Sequence, residues 1–360
     1  MSAGGEQAAL ERIERARKRP RAFRETSITT AHGAGGKATH ELIERLLVPA
    51  LGAGEQLAAL ADAAVVDVSG ASVAMTTDSF VVRPLRFPGG SIGELAVNGT
   101  VNDLAMVGAA PLALTLSLVL EEGLDSEVLR QEIAAAGAAA RAAGIEIVAG
   151  DTKVVGRGAA DGMYICTAGI GIVDARAALS PAGARPGDRL LVSGPIAEHG
   201  IAVMLARGEF ELGAAVSSDT CSLWPAVAAL LDACHSGLRS LRDPTRGGLA
   251  SALNELAAAS GTAIVVHEQL VPLAPAVGGA CELLGIDPMY VACEGRLLAI
   301  VAADEADAAL AALRTVSGCE QAAEIGAVEA DPAGMVLVQT AFGSRRVLDM
   351  LVGDPLPRIC

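Results

Sequence analysis

Apolar positions along the chain switch between two periods. Residues 63–68 and 72–76 form short β-like runs, and residues 112–120 are apolar almost throughout, which predicts a buried strand. Between them, 93–108 reads G-E-L-A-V-N-G-T-V-N-D-L-A-M-V-G, with apolar side chains at helical spacing. Ser126 stands where a cap would open a helix to about residue 143, which Gly144 stops. I-E-I-V-A then predicts a strand that ends in G-D-T-K-V-V, and 164–173 predicts another. This first block closes near Asp174.

The turn-rich stretch P-A-G-A-R-P-G-D, 181–188, marks a domain boundary. A second block follows, with strands near 189–193, 263–267 and 297–301. Its helices fall near 201–207, 222–233, 249–259 and 305–316. The alternation predicts an α+β or α/β protein of two domains, 26–178 and 185–342. They lie between a disordered basic tail, 1–25, and a mobile C-terminal arm, 343–360, that ends in Cys360.

Composition narrows the class. Aromatics are 2% of the 360 residues, so the cores must be aliphatic. No apolar run reaches the ~18–20 residues that a membrane span needs. A net charge of −15 argues against non-specific nucleic-acid binding. The seven cysteines form no C-x-x-C pair and no zinc-finger spacing, which points to a reducing cytoplasm. Of 27 basic residues only Lys18, Lys37 and Lys153 are lysine. Lysine offers a compact charge and a pKa that burial can shift. Lys37 and Lys153 lie in Gly- or Asp-bearing segments, and both become site candidates.

Residues 32–37, H-G-A-G-G-K, lack the spacing of a P-loop. Gly33, Gly35 and Gly36 nevertheless expose backbone N–H groups beside Lys37, and a helical pattern follows at 40–47. Four further segments carry an aspartate near Gly, Thr or Asn. They are T-T-D-S with Asp78, G-T-V-N-D with Asn102 and Asp103, G-D-T-K with Gly150 and Asp151, and R-D-P-T-R-G-G with Asp243, Thr245, Gly247 and Gly248. Acidic residues in such loops suit Mg²⁺ held through carboxylates, water and phosphate oxygens. Glu294, in A-C-E-G-R, is a further carboxylate, and His32 is the one histidine placed beside a candidate loop.

Taken in order, T-T-D-S-F-V-V-R-P-L-R-F-P-G-G-S-I-G-E-L-A-V-N-G-T-V-N-D-L-A-M-V-G, L-S-L-V-L-E-E-G-L, I-V-A-G-D-T-K-V-V, R-D-P-T-R-G-G, C-E-L-L-G and P-L-P-R-I-C closely resemble the HypE family of hydrogenase maturation proteins. That family lies within the ATP-using superfamily of aminoimidazole ribonucleotide synthetase and selenophosphate synthetase. The likeness covers about residues 27–360, and the terminal P-R-I-C is its most specific part.

The resemblance implies a PurM-like fold. An N-terminal domain pairs its sheet with a second subunit, a C-terminal α/β domain flanks it, and ATP binds between the domains. By motif match, Asp78, Asp103, Asp151 and Asp243 would serve Mg²⁺ and phosphates, and the 32–37 loop would close over the nucleotide. Lys153 and Glu294 would stand near the modified Cys360. Cys293 departs from the Asn or Ser expected before the E-G pair. The implied activity is ATP-dependent dehydration of a carbamoyl group on the Cys360 thiol, from S-carboxamide to S-cyanate. The partner HypF would load the carbamoyl group, and the HypC–HypD complex would accept cyanide for the iron of [NiFe]-hydrogenase.

A reacting thiol on the last residue can visit a partner, its own ATP cleft and an acceptor. The 18 residues after Phe342 could reach at most roughly 60 Å fully extended. Three other readings remain. Selenophosphate synthesis uses a Cys or selenocysteine in the N-terminal glycine loop, and no Cys precedes Cys166 here. An aminoimidazole ribonucleotide synthetase would explain the ATP loops but not the tail. A non-enzymatic carrier would ferry a group on the arm while the body only docks partners, and magnesium-dependent phosphate release that requires Cys360 separates it from a catalyst.

Overall fold

The computed structural model describes residues 23–52, 61–208, 215–353 and 358–360. The expected basic tail falls outside them up to residue 22. Two sheets organise the chain. The first takes β1 (Ala64–Val68), β2 (Ala71–Phe80), β5 (Ala109–Glu121), β6 (Glu146–Val155) and β7 (Met163–Val173) in the order β1-β2-β7-β5-β6. A small ribbon, β3 (Arg86–Phe87) with β4 (Gly90–Ser91), leads into the helix behind the sheet. That helix, α2 (Ile92–Met106), is preceded by α1 (Lys37–Leu42), which continues through a π-helical turn to Ala50.

α2 is buried at every position except Glu94 and Asp103, since it lies between its own sheet and the second domain. It crosses α3 (Ser126–Ala142) closely: a Cβ on Gly93 would meet the Glu132 carbonyl at 2.1 Å. The Glu132 carboxylate is buried there, forms an ion pair with Arg86 Nε at 2.7 Å and accepts from the Gly93 N–H at 3.3 Å. The N-cap of α3 is Asp125, whose side chain accepts from the Glu127 N–H, one residue ahead of the expected Ser126.

The second sheet runs β14-β13-β10-β12-β8-β11-β9. Its strands are β8 (Arg189–Val192), β9 (Leu238–Arg242), β10 (Ala263–His267), β11 (Leu298–Val301), β12 (Ala323–Glu329), β13 (Val336–Gln339) and β14 (Arg345–Val347). One face packs against α4 (Glu198–Ala206), α6 (Gly248–Ser260) and α7 (Pro275–Leu284). The other packs against α5 (Trp224–Ala233) and α8 (Ala306–Leu313). The aliphatic cores on these faces supply most of the hydrophobic stabilisation, which scales with the apolar area removed from water.

Two expectations change. G-D-T-K is no loop: it lies inside β6, paired in parallel with β5, and T-T-D-S likewise lies inside β2. Thr, Ser and Val favour the extended backbone, and ladder pairing outweighs the turn preference of a single Asp. The C-terminal arm also begins later than residue 343. Arg345–Val347 pairs with β13 as an edge strand and Leu348 is buried behind it. Ile359 is buried as well, so the end of the arm is docked in this structure.

Candidate active site

Between the domains opens a cleft of about 1370 Å³. β2 brings Asp78, α2 brings Asp103, and the segment before β1 brings Asp62. The turn after β9 brings Asp243, Thr245 and Arg246, and the glycine loop brings Gly35 and Gly36. Glu294 and Cys360 complete the wall. Carboxylate oxygens of Asp62, Asp103 and Asp243 lie within 4.8 Å of one another.

Burial and mutual repulsion hold these acids above the usual carboxylate range. Burial lifts Asp62 to about 8 and Asp243 to about 6. Burial first, then the charges of Asp243, Asp62 and Asp78, raises Asp103 well above its ordinary value. Burial raises Asp78 too, opposed by Arg246. Arg242 offsets part of this charge through an ion pair of 2.9 Å with Asp62 and a contact with Glu255. Glu294 is 3% exposed and shifted well upward by burial and by Asp243 and Asp78; its Oε1 is buried without a hydrogen-bond partner. Its backbone N–H donates to Asp219 at 3.0 Å, which fixes the turn that presents it.

Hard oxygen donors in an acidic cluster, left at high proton affinity by burial and then by their own repulsion, fit a divalent cation such as Mg²⁺. Arg246 faces this cluster. The negative charge of Cys360, then Asp78 and Glu294, holds its guanidinium firmly protonated despite burial. Cys360 also lines a second, smaller cavity of about 250 Å³ with Gly33, Arg246, Gly247 and Tyr290. The Cys360 residue thus sits where the two spaces meet.

The glycine loop is fixed at both ends. His32 accepts from the Thr29 N–H at 3.0 Å and pairs through Nε2 with Glu25 at 2.9 Å. Gly35 has φ +74°, and a Cβ there would meet the Arg246 carbonyl at 2.5 Å, so a larger residue would be strained and blocked. Lys37 donates its backbone N–H to the Leu351 carbonyl at 3.0 Å, and its amine pairs with Asp349. The loop is therefore packed against the root of the arm.

Several candidates stand elsewhere. Gly150, Asp151 and Lys153 lie on β6. Asp151 and Lys153 pair with each other at 2.7 Å, both exposed. β7 and β5 separate β6 from β2, so Asp151 is about 14 Å from the Asp78 row at ~4.8 Å per strand. Within one chain the four aspartates do not converge. The cluster is completed by Asp62, which the sequence analysis missed. Asn102 faces away from the cleft: its amide donates to the carbonyls of Cys221 and Glu294 and accepts from the Leu223 N–H. It ties α2 to the turns that carry Glu294, a bridging position in place of the expected nucleotide contact. Gly248 is packed against the carbonyls of Met289 and Val291 and does not line the cleft. Cys293 is fully buried, takes a contact of 3.2 Å from the Ala197 N–H, and is pushed well up by burial, which keeps it an unreactive thiol.

Residues 60–173 match the N-terminal domain of the AIR synthase related protein family, and residues 185–339 match its C-terminal domain. The chain is 47% identical over 344 residues to the carbamoyl dehydratase HypE of Rhodobacter capsulatus, covering 94% of this chain and 100% of that protein. A crystal structure of hydrogenase maturation protein HypE in complex with ATP superposes with a TM-score of 0.78 at 45% identity, over 93% of this chain and 100% of that one. A HypE–HypF complex superposes with a TM-score of 0.82 at 41% identity, over 86% of this chain and 99% of that one. With both domains matched and nearly half of the residues identical over almost the whole chain, the chain belongs to the HypE family of carbamoyl dehydratases within the AIR synthase related proteins.

Proposed function

We propose that the chain is an ATP-dependent carbamoyl dehydratase acting on its own Cys360, in hydrogenase maturation. The observation that carries this is the placement of Cys360 in the wall of the same cleft as Asp62, Asp78, Asp103, Asp243, Arg246 and Glu294. An S-carboxamide on that thiol has an oxygen that cannot leave as oxide. Transfer of the γ-phosphoryl group of ATP to that oxygen gives an imidate phosphate. Loss of both N–H protons and departure of phosphate then leaves S-cyanate, with ADP as the second product. Glu294, at high proton affinity, is suited to take a proton at the carboxamide nitrogen. Arg246 is placed to offset charge on the transferring group. Asp62, Asp103 and Asp243, with Asp78 beside them, would hold Mg²⁺, which when bound neutralises phosphate charge.

Asp151 and Lys153 enter this reading through a second copy. β6 is exposed nearly end to end at the edge of the sheet, and the open sheet face, on which Asp151 and Lys153 project, carries Met75, Ile170 and Ile172. A homodimer pairing these sheets would cover that face and bring the two side chains to a partner's cleft. By likeness to the HypE–HypF complex, HypF is the proposed carbamoyl donor; the motif resemblance alone suggests the HypC–HypD complex as the cyanide acceptor. No helix among the described residues is long and apolar enough to cross a membrane. None of the seven cysteines forms a disulfide, in keeping with the cytoplasm as the proposed compartment.

The test is intact mass. Protein incubated with HypF, carbamoyl phosphate and the ATP HypF needs should gain one carbamoyl group at the C-terminal peptide. Fresh Mg-ATP should then remove one water, and Cys360→Ala should abolish both changes. Loading without ATP-driven water loss would make the chain a carrier.

A further inference from the structure

The last three residues are gripped from both domains. On the N-terminal side, the Val81 N–H donates to an oxygen of the Cys360 terminal carboxylate at 3.1 Å and the Arg83 N–H to the Arg358 carbonyl at 3.3 Å. The Arg358 guanidinium donates back to the Val81 carbonyl and pairs with Asp161. On the C-terminal side, α4 reaches the same segment twice. Arg207, at its C-terminal end, donates to the Arg358 carbonyl at 2.8 Å and to the Arg83 carbonyl at 2.9 Å. His199, in its first turn, places Nε2 2.9 Å from the Ile359 carbonyl.

His199 is fully buried, and the Phe87 ring stands edge-on to it at 5.3 Å. A carbonyl can only accept, so the ring proton sits on Nε2. Nδ1, 2.8 Å from Ser218 Oγ, then accepts the hydroxyl, while Ser218 Oγ accepts from the Thr220 N–H. This chain of bonds fixes the tautomer and aims one donor at one carbonyl of the arm. The Ile359 side chain packs beside it among Phe87, Val203 and Ala292. His199 does not line the cleft, so it has no part in the chemistry derived above.

We propose that His199 is a positioning residue: its Nε2–H holds the Ile359 carbonyl and so keeps Cys360 at the junction of the two cavities. The bonds named here reach main-chain oxygens of residues 358–360 and none of them involves Sγ, the atom that changes from thiol to carboxamide to cyanate. Burial lowers the ring to about 4, so it stays neutral and singly protonated at neutral pH.

The inference rests on the reading of Cys360 as the reacting thiol, and the experiment separates the two. Iodoacetamide alkylation of unloaded Cys360, read by mass of the C-terminal peptide, reports docking alone. Single-turnover water loss from loaded protein, with the KM for ATP, reports catalysis. His199→Phe keeps the ring volume and removes the donor. It should raise alkylation of Cys360 about ten-fold, the scale of one buried hydrogen bond, and slow water loss to a similar degree with the KM for ATP unchanged. His199→Gln, whose amide can donate to the same carbonyl, should restore both in part. Arg207→Ala should shift both in the same direction. Parental Cys360 protection in a folded His199→Phe protein overturns the proposal. Should that variant fail to fold, Ser218→Ala, which frees the tautomer, takes its place. Unchanged protection there overturns the proposal equally. If the parent never loads or never loses water, the functional reading fails while the alkylation series still decides the role of His199.

Discussion

β6 and β11 are both strands rich in aliphatic residues, and the fold treats them oppositely. Every residue of β11 is fully buried, between β8 and β9 and under helices on both faces. β6 has one strand neighbour, β5, and is exposed along its length up to Val155. Their placement also divides the chemistry. Glu294 stands on the turn that leads into β11, held by buried hydrogen bonds, whereas Asp151 and Lys153 project from β6 into solvent. An apolar strand left bare at a sheet edge is a surface that another chain can cover. The contrast therefore separates a half-site rigid within one chain from a half-site that needs a second.

The largest effect expected from breaking this contrast is on the buried side. Ile300→Ala in β11 should cost about 2–5 kcal/mol of stability by denaturant titration, because the cavity cannot collapse between two helix layers, and it should leave the mass in solution unchanged. The buried His199 gives the next. Its folded pKa of about 4 lies below the unfolded value of 6.5, so its neutral form favours the folded state above pH 6.5. That contribution, about 3 kcal/mol, is lost as pH falls from 6.5 to 4 because the unfolded chain takes up the proton first. Comparing parent with His199→Gln by denaturant at pH 7 and pH 4 should show the gap closing by that amount.

On the exposed side the effect moves from stability to assembly. Met75→Asp, on the open face, should change monomer stability by less than about 1 kcal/mol. It should convert a dimer to a monomer in sedimentation and lower ATP-driven water loss about 100-fold, since charge on a paired sheet face is desolvated without a partner. A parental dimer in this variant would show that the face shared by Met75, Asp151 and Lys153 is not the paired one. Asp151→Asn, smaller still, should leave both stability and sedimentation unchanged and slow water loss about ten-fold.

Much of the second domain was legible because its apolar runs match its elements: strands at 189–192, 263–267 and 298–301 and the helix closed by Gly261 all lie where periodicity puts them. α2 was legible for the same reason. The aspartates were harder. Asp78 and Asp151 sit among Thr, Ser and Gly, which reads as loop until cross-strand pairing is known. Asp62, in A-D-A-A, has no glycine or turn chemistry around it, and only its position just before an apolar run offered a signal. Arg246 was hidden because arginine is common in this chain; its selection depends on burial, which spacing does not report. His199 gave no pattern at all, since its partners, Ser218 and Ile359, are 19 and 160 residues away.

The docked arm has a consequence for kinetic order. A reacting group tied to its own catalyst meets the cleft at a concentration set by the chain, in the millimolar range for a short flexible tether. With Cys360 as the loaded thiol, the dehydration step is first order in protein: dilution leaves its rate unchanged as long as the proposed dimer holds together. A free peptide carrying the same R-I-C sequence could displace the arm only near that local concentration. Each loading then yields at most one turnover per chain, so output follows the number of molecules loaded and delivered.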